Sequence, residues 1–142
     1  MLVIIVLAGM VAFGCQCARW YLEREGRKES EHFGGRVRLT ALWNDGSAFG
    51  LLPIKGAGLA ALSAAVMAVG ACLYRGCRMG CALLLGGGLS NLWERLRCGS
   101  VFDYIAFPKA PEKLRRYVFN LADFAIFLGA IAIVLGEKKR RK

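Results

Sequence analysis

The sequence predicts an all-α polytopic membrane protein, with four transmembrane helices and a small β-element in the first long loop. Hydrophobic residues make up 56% of the 142 residues and the mean hydropathy is +0.44, which is too apolar for an ordinary soluble domain of this size. These residues form separate apolar runs with polar stretches between them, and one polar stretch alternates as a strand does. We expect a single membrane-embedded domain over residues 1–142.

The apolar runs define the predicted spans. They cover about residues 1–18, 56–74, 79–93 and 118–136. A helix rises ~1.5 Å per residue, so the first run can cross a bilayer core if it is slightly tilted. A cleaved signal peptide is the alternative, but no basic residue precedes this run and it has no clear small-x-small cleavage site. The third run is short for a full crossing, which favours tight packing against its neighbours.

The first long loop, residues 19–55, contains the predicted strand. Its beginning, RWYLEREGRKESEH, is charged on all sides, and a helical extension and a solvated loop fit it equally well. Residues 36–42 then alternate with the period of two that is typical of a strand with one apolar face. Asn44-Asp45-Gly46 follows as a turn signal, since Asp-Gly permits positive backbone dihedral angles.

The basic residues indicate a lipid surface rather than nucleic acid. The net charge is +10, but the Lys and Arg residues lie between and after the apolar runs instead of on one soluble face. We therefore expect membrane phospholipids as a partner and no nucleic acid. The two long loops hold 13 Lys and Arg residues and the opposite side holds 7, so the positive-inside rule alone would place the long loops in the cytoplasm.

Two carboxylates are the candidate chemical groups. Asp123 lies in an apolar run, where an acid is costly and is therefore a functional candidate that needs a partner. Asp103 follows the third span, so it lies on the same side of the membrane as Asp123, which is about one turn into the fourth span. Two carboxyl groups at close range share one proton, and such a pair can activate water and protonate a leaving amine.

Asparagines could supply the remaining polar groups. Asn44, Asn91 and Asn120 each flank an apolar segment on the side where the two aspartates lie. Their amides can hold carboxylates or bind a substrate backbone, although each one alone also fits a capping or turn role. The six cysteines form no CxxC pair, and the sequence has a single histidine that could join them as a metal ligand. We therefore interpret the cysteines as packing residues rather than as metal ligands.

Four sequence blocks together resemble the signature blocks of signal peptidase II, the lipoprotein signal peptidase family. They are NDGSAF at 44–49, GGLSNLWER at 87–95, GSVFDYI at 99–105 and FNLAD at 119–123. The resemblance implies a single membrane-embedded peptidase domain, an aspartyl endopeptidase that cleaves diacylglyceryl-modified prolipoproteins just before the lipidated cysteine. It implies catalytic roles for Asp103 and Asp123. Substrate-binding or dyad-supporting roles fall on Asn44, Gly46, Asn91, Arg95 and Asn120.

The resemblance also implies a location and a set of partners. The chain would be a monomeric, multi-pass protein of the bacterial inner membrane that acts on lipid-modified prolipoproteins without a metal or organic cofactor. Both termini would be cytoplasmic, and the active site in the extracytoplasmic loops would open toward the outer leaflet, which is opposite to the charge count. The sequence departs from the usual family pattern at Cys15 and Glu94, where Asp is common, at Ser90, where Gly is common, and at Phe124, where Ser is common.

Two other hypotheses remain at this stage. A non-catalytic scaffold or small transporter could use Asp123 as an ion or proton relay, but a relay needs further polar groups across the bilayer. The second span offers Ser63 alone, and the fourth span is apolar after Asp123. A degenerate homologue without activity is the third hypothesis, because Cys15 and Glu94 change the surroundings of the site.

Overall fold

The computed structural model describes residues 1–24, 29–46, 67 and 77–140. Within these residues, three long helices and one short helix accompany a four-stranded antiparallel sheet. In chain order the elements are α1 (Leu2–Arg24), β1 (Ser30–His32), β2 (Val37–Asn44), α2 (Arg78–Cys98), β3 (Val101–Ala106), α3 (Glu112–Arg115), β4 (Val118–Phe119) and α4 (Leu121–Arg140).

Helix α2 packs against α1 through small residues, and the two helices run in the same direction. Ala8 of α1 lies against Gly86, where a Cβ atom would come within 2.6 Å of the Ala8 carbonyl oxygen. Further along both helices, Gln16 donates a hydrogen bond to the Ser90 hydroxyl at 2.9 Å. The missing side chain at Gly86 therefore permits the close approach on which this interface depends.

The other side of α2 packs against α4, which runs in the opposite direction. Gly80 near the start of α2 meets Gly129, and Gly87 meets Ala122 near the start of α4. A Cβ atom at Gly87 would lie 2.5 Å from the Ala122 carbonyl oxygen. Two backbone-to-backbone contacts, separated by seven residues along α2, thus hold the pair at short range.

The helices are longer than the predicted spans or begin later. Within the described residues, α1 is the helix long and apolar enough to cross a membrane, and Leu121–Gly136 of α4 is a shorter apolar stretch. The open question at RWYLEREGRKESEH is answered in part, because α1 continues to Arg24 and Ser30–His32 form β1, while residues 25–28 lie outside the described residues. The helix at the predicted fourth span, about 118–136, begins at Leu121, because Val118 pairs with β3 instead. The predicted second span, 56–74, lies outside the described residues except for Met67, which is buried against Gly88.

The sheet has the order β1-β2-β3-β4 with antiparallel neighbours. The strand predicted at residues 36–42 is confirmed as β2. The prediction of a β-element in the first long loop was incomplete, because β3 and β4 of the same sheet come from the segment between α2 and α4. The first four residues of β3 are all buried, so this strand has no alternation between apolar and polar positions that could reveal it.

Candidate active site

The first carboxylate is held on β3, the strand that directly follows α2. Gly99 ends α2 in the left-handed conformation, with a φ of 75°, and donates its N–H to the Arg95 carbonyl oxygen. Glycine is suited to this position because it has no Cβ atom to clash. β3 begins two residues later at Val101, and its third residue, Asp103, is 3% exposed. Asp103 is therefore fixed close to the end of the central helix.

The second carboxylate is part of the N-terminal cap of α4. Asn120 precedes the helix, and its Oδ1 accepts the N–H of Asp123 at 3.0 Å. In return, Asp123 Oδ2 accepts the Asn120 N–H at 3.0 Å, which completes a capping box. Asp123 is the third residue of α4, which agrees with the prediction that it lies about one turn into this helix.

The three predicted asparagines reach the two carboxylates. Asn44 Nδ2 donates to Asp103 Oδ2 at 2.9 Å, and Asn120 Nδ2 donates to Asp103 Oδ1 at 2.8 Å. Asn91 Nδ2 donates to Asp123 Oδ1 at 2.9 Å, while the other oxygen of Asp123 is held by the cap. Each of the four carboxylate oxygens therefore accepts a hydrogen bond from an N–H group.

Gly46 and Arg95 lie next to these donors rather than on the carboxylates themselves. The Gly46 N–H donates to Asn44 Oδ1 at 3.0 Å, which orients the amide so that its NH2 group faces Asp103. Arg95 Nη1 donates to the Asn91 carbonyl oxygen at 3.5 Å, and its charge acts on both Asp103 and Asp123. One residue thus orients a donor, and the other adds a positive charge beside the pair.

Burial raises the pKa of two side chains on β3, those of Asp103 and Tyr104. Removal from water raises the pKa of Asp103 to about 6, and the negative charge of Asp123 adds to the rise. The amide donors Asn44 and Asn120 and the Arg95 charge act in the opposite direction. Burial also raises the pKa of Tyr104 to about 12, so its hydroxyl stays neutral and accepts the Leu121 N–H at 3.0 Å. This bond is a second link between β3 and the start of α4.

A buried glutamate supports the site and was not among the predicted site residues. Glu94 is 4% exposed, and its Oε2 accepts the N–H of Phe102, the neighbour of Asp103, at 2.9 Å. Its Oε1 accepts from Gln16 Nε2 at 3.1 Å, and Arg19 Nε lies 3.9 Å from its Oε2. The longer side chain at position 94 therefore ties β3 to both α1 and α2. The sequence shows only that Glu94 and Gln16 are polar residues at the ends of apolar runs, and it does not show that they meet or that Glu94 reaches β3.

The other departures from the family pattern have structural environments of their own. Cys15 is buried in α1, and Ser90 is buried where it receives the Gln16 hydrogen bond. Phe124 packs against the rings of Phe107 and Phe119, with centroid distances of 6.2 and 5.9 Å. These positions surround the two carboxylates without removing any donor to them.

Comparison with known proteins gives a family and curated relatives. A family model described as "Signal peptidase (SPase) II" matches residues 5–137. A protein named lipoprotein signal peptidase from Desulfitobacterium hafniense (strain DSM 10664 / DCB-2) is 36% identical over 117 residues, which covers 73% of each chain. The protein of that name from Moorella thermoacetica is 37% identical over 107 residues, covering 70% of this chain and 67% of its own length.

Solved structures give the same fold at lower sequence identity. One bacterial membrane enzyme, determined by the in meso method, superposes with a TM-score of 0.83 and 20% identity, covering 100% of this chain and 91% of its own. A second has a TM-score of 0.79 and 20% identity, covering 95% and 92%. At this level of identity the similarity supports the mostly helical architecture with its small sheet.

Proposed function

The chain belongs to the signal peptidase II family, and from that premise we propose that it is an aspartyl endopeptidase for diacylglyceryl-modified prolipoproteins. Family membership makes it a membrane peptidase that acts in the cleavage of lipoprotein signal peptides. The proposal adds that cleavage occurs just before the lipidated cysteine, and that Asp103 and Asp123 are the catalytic pair.

The bridging position of Asn120 is the observation that carries this proposal. Its side-chain amide donates to Asp103 at 2.8 Å, and its backbone N–H donates to Asp123 at 3.0 Å. One residue therefore brings the two carboxylates side by side, although they come from different elements. A water molecule between two such groups can give a proton to the ionised carboxylate, while the protonated carboxyl donates its proton to the carbonyl oxygen of a peptide bond.

The surroundings of the two acids support different roles for them. Burial and the negative charge of Asp123 raise the pKa of Asp103 to about 6, so Asp103 takes up a proton more readily than an ordinary aspartate when Asp123 is ionised. Asp123 lies in the first turn of α4, where the partial positive charge of a helix N-terminus favours a carboxylate. We therefore assign Asp123 as the base that takes a proton from water, and Asp103 as the acid that protonates the carbonyl oxygen.

Hydrolysis then proceeds in two proton-balanced stages. The water oxygen bonds to the scissile carbonyl carbon, while Asp123 gains the water proton and Asp103 gives its proton to the carbonyl oxygen. The C–N bond of the resulting tetrahedral species breaks as Asp123 passes its proton to the amine and Asp103 recovers its own. The products are the signal peptide carboxylate and a free amino group on the lipidated cysteine.

We propose a four-span topology with both termini in the cytoplasm and the carboxylates facing the outer leaflet. α1 and α2 run in the same direction, so we propose the predicted span at about 56–74 as the crossing between them. α4 runs the other way, which brings its C-terminal end to the side on which α1 begins. The described donors to both carboxylates come from one chain, so these hydrogen bonds need no second copy, and we propose a monomeric enzyme of the bacterial inner membrane.

Loss of either acid should abolish turnover without loss of the fold. We expect Asp103→Asn and Asp123→Asn to lower cleavage of a purified diacylglyceryl-modified prolipoprotein by at least about a hundredfold, the usual size of an acid–base contribution. The measurement is single-turnover cleavage in phospholipid nanodiscs, followed by gel shift and mass of the released peptide. Glu112→Gln is the matched control, since Glu112 is an exposed carboxylate that contacts Arg116.

Two outcomes would contradict the proposal. Turnover that persists in either aspartate variant would remove that residue from the catalytic pair. Equal cleavage of a precursor without the diacylglyceryl group would show a peptidase with a different substrate class.

The relay hypothesis has less support. A proton or ion path along α4 would need polar side chains beyond Asp123, and residues 124–136 are all apolar or glycine. The full set of hydrogen-bond donors around the two acids also favours an active enzyme over a degenerate homologue.

A further inference from the structure

A groove between the C-terminal halves of α1 and α2 is separate from the two carboxylates. Its volume is about 300 Å³, and it is lined by Gln16, Cys17, Arg19, Trp20, Trp93 and Arg97. Neither Asp103 nor Asp123 contributes to this lining. We call it the α1–α2 groove.

The α1–α2 groove lies where the apolar part of α1 ends. Leu2 to Ala18 is the apolar stretch, and at ~1.5 Å per residue it spans ~26 Å, close to the ~30 Å hydrocarbon core of a bilayer. Arg19 comes next, so the groove is at headgroup depth. Trp20 and Trp93 are 54% and 56% exposed there, as expected of aromatic rings at a membrane interface.

Within the part of the chain that the structure describes, the groove has one guanidinium group, that of Arg97, with no carboxylate paired to it. Arg19 forms ion pairs with Glu23 at 2.9 Å and with Glu94 at 3.9 Å. Arg24 stacks on the ring of Trp20, one of the groove residues, at 4.6 Å. The three guanidinium groups of Arg19, Arg24 and Arg97 therefore outnumber the two carboxylates described near them, those of Glu23 and Glu94. Arg97 is exposed and forms no ion pair with the part of the chain that the structure describes.

We propose that the α1–α2 groove binds the phosphodiester headgroup of an anionic phospholipid, from the leaflet on the side of the two aspartates. A phosphodiester carries a single negative charge, and a guanidinium fork matches its oxygens. Arg97 holds the phosphate, and Trp20 and Trp93 contact the glycerol and the upper acyl chains. This binding site goes beyond the proposed peptidase activity and does not depend on which residues perform catalysis.

Tryptophan fluorescence can test this site directly. The chain has three tryptophans, so Trp43→Phe leaves the two groove residues as the reporters. The protein is placed in phosphatidylcholine nanodiscs that contain a fixed mole fraction of brominated phosphatidylglycerol or brominated phosphatidylcholine. We expect stronger quenching by the anionic lipid, and we expect Arg97→Gln to reduce its preference by about fivefold, the effect of one basic residue at an anionic surface.

The control is Arg115→Gln, which removes an exposed arginine that does not line the groove and should leave the preference unchanged. Equal quenching by the two brominated lipids would overturn the proposal, as would a preference that survives Arg97→Gln. A soluble glycerophosphate that relieves the quenching as well as phosphatidylglycerol does would assign the groove to free anions instead.

Native mass spectrometry provides a second readout that needs no tryptophan substitution. The unsubstituted chain should retain phosphatidylglycerol in preference to phosphatidylcholine when it is released from mixed nanodiscs. Arg97→Gln should lose that preference while Arg115→Gln keeps it. Identical lipid adducts on the unsubstituted chain and on Arg97→Gln would contradict the proposed site.

Discussion

Asn120 performs two tasks, and two substitutions can separate them. Asn120→Ser keeps an oxygen that can cap α4 but removes the amide donor to Asp103, whereas Asn120→Ala removes both. We expect both variants to lose activity. Unfolding in detergent should show that Asn120→Ala alone loses the cap, at about 0.5–2 kcal/mol. Full activity of Asn120→Ser would contradict the bridging role.

The buried carboxyl of Asp103 makes stability depend on pH. The pKa of Asp103 is about 6 in the folded state, and that of an unfolded aspartate is ~3.9. Between about pH 3.9 and about pH 6 the folded state therefore binds more protons than the unfolded state. Stability from this group is therefore present at low pH and is lost as the pH rises to about 6. Relative to the wild type, Asp103→Asn should gain about 2–3 kcal/mol between pH 4 and pH 7. Denaturant unfolding over this pH range measures the gain, and a pH-independent difference would contradict it.

The polar residues closest to the chemistry were predictable, and their supporting residues were not. Asp103, Asp123 and the three asparagines stand out because polar groups beside apolar runs are costly without a partner. Glu94 could not be assigned in the same way. Its importance comes from a bond to the backbone of β3, and no side-chain pattern records which backbone N–H a strand leaves available.

At the scale of elements, the contact between α2 and α4 predicts a sensitive glycine. Gly87→Ala would place a Cβ atom 2.5 Å from the Ala122 carbonyl oxygen, next to the start of α4. We expect a loss of about 1–3 kcal/mol from overpacking, together with lower activity, because Asp123 lies in the turn that has to move. Thermal unfolding and cleavage assays measure the two effects.

Gly9 is the matched control for this substitution. A Cβ atom at Gly9 would meet nothing within 4 Å, so Gly9→Ala should retain stability and activity. Equal destabilisation of both variants would show that helix content, rather than the contact with Ala122, is responsible.

Elements with clear periodicity were predictable from the sequence, and elements without it were not. β2 was found from its alternation, but β3 is buried along most of its length and looks like a short apolar run. The end of α1 was undecided because charges cover all its faces. In the structure, Arg19 and Glu23 pair across one turn, and such i,i+4 pairs are compatible with a solvated helix.

For the whole molecule, the proposed orientation predicts which cysteines a reagent can reach. Cys98 is exposed at the end of α2 on the side of the aspartates, and Leu2 is 74% exposed at the opposite end of α1. In intact spheroplasts, an impermeant maleimide should label a variant with Cys98 as its sole cysteine. A cysteine-free chain with Leu2→Cys should react only after permeabilisation. The reverse pattern would place the long loops in the cytoplasm, as the charge count suggests.

Orientation is the property of the whole molecule that the sequence leaves least determined. The basic residues of the long loops include Arg38, which pairs with Glu31 within the sheet, so a simple count treats paired and unpaired charges alike. For the orientation of the chain in the membrane, the charge count is therefore a weaker guide than family membership. Helix directions indicate that both ends of the chain lie on one side, and the proposed choice of the cytoplasm for that side relies on the family resemblance.

The two glycine contacts between α2 and α4 affect how the enzyme responds to membranes of different thickness. Asp103 is joined to α2 through Gly99, and Asp123 is part of the first turn of α4. A helix in a thinner bilayer tilts to match it. Because backbone meets backbone at Gly80 and at Gly87, these helices have to tilt as one body. We therefore expect the distance between the two carboxylates to stay the same when the thickness of the bilayer changes.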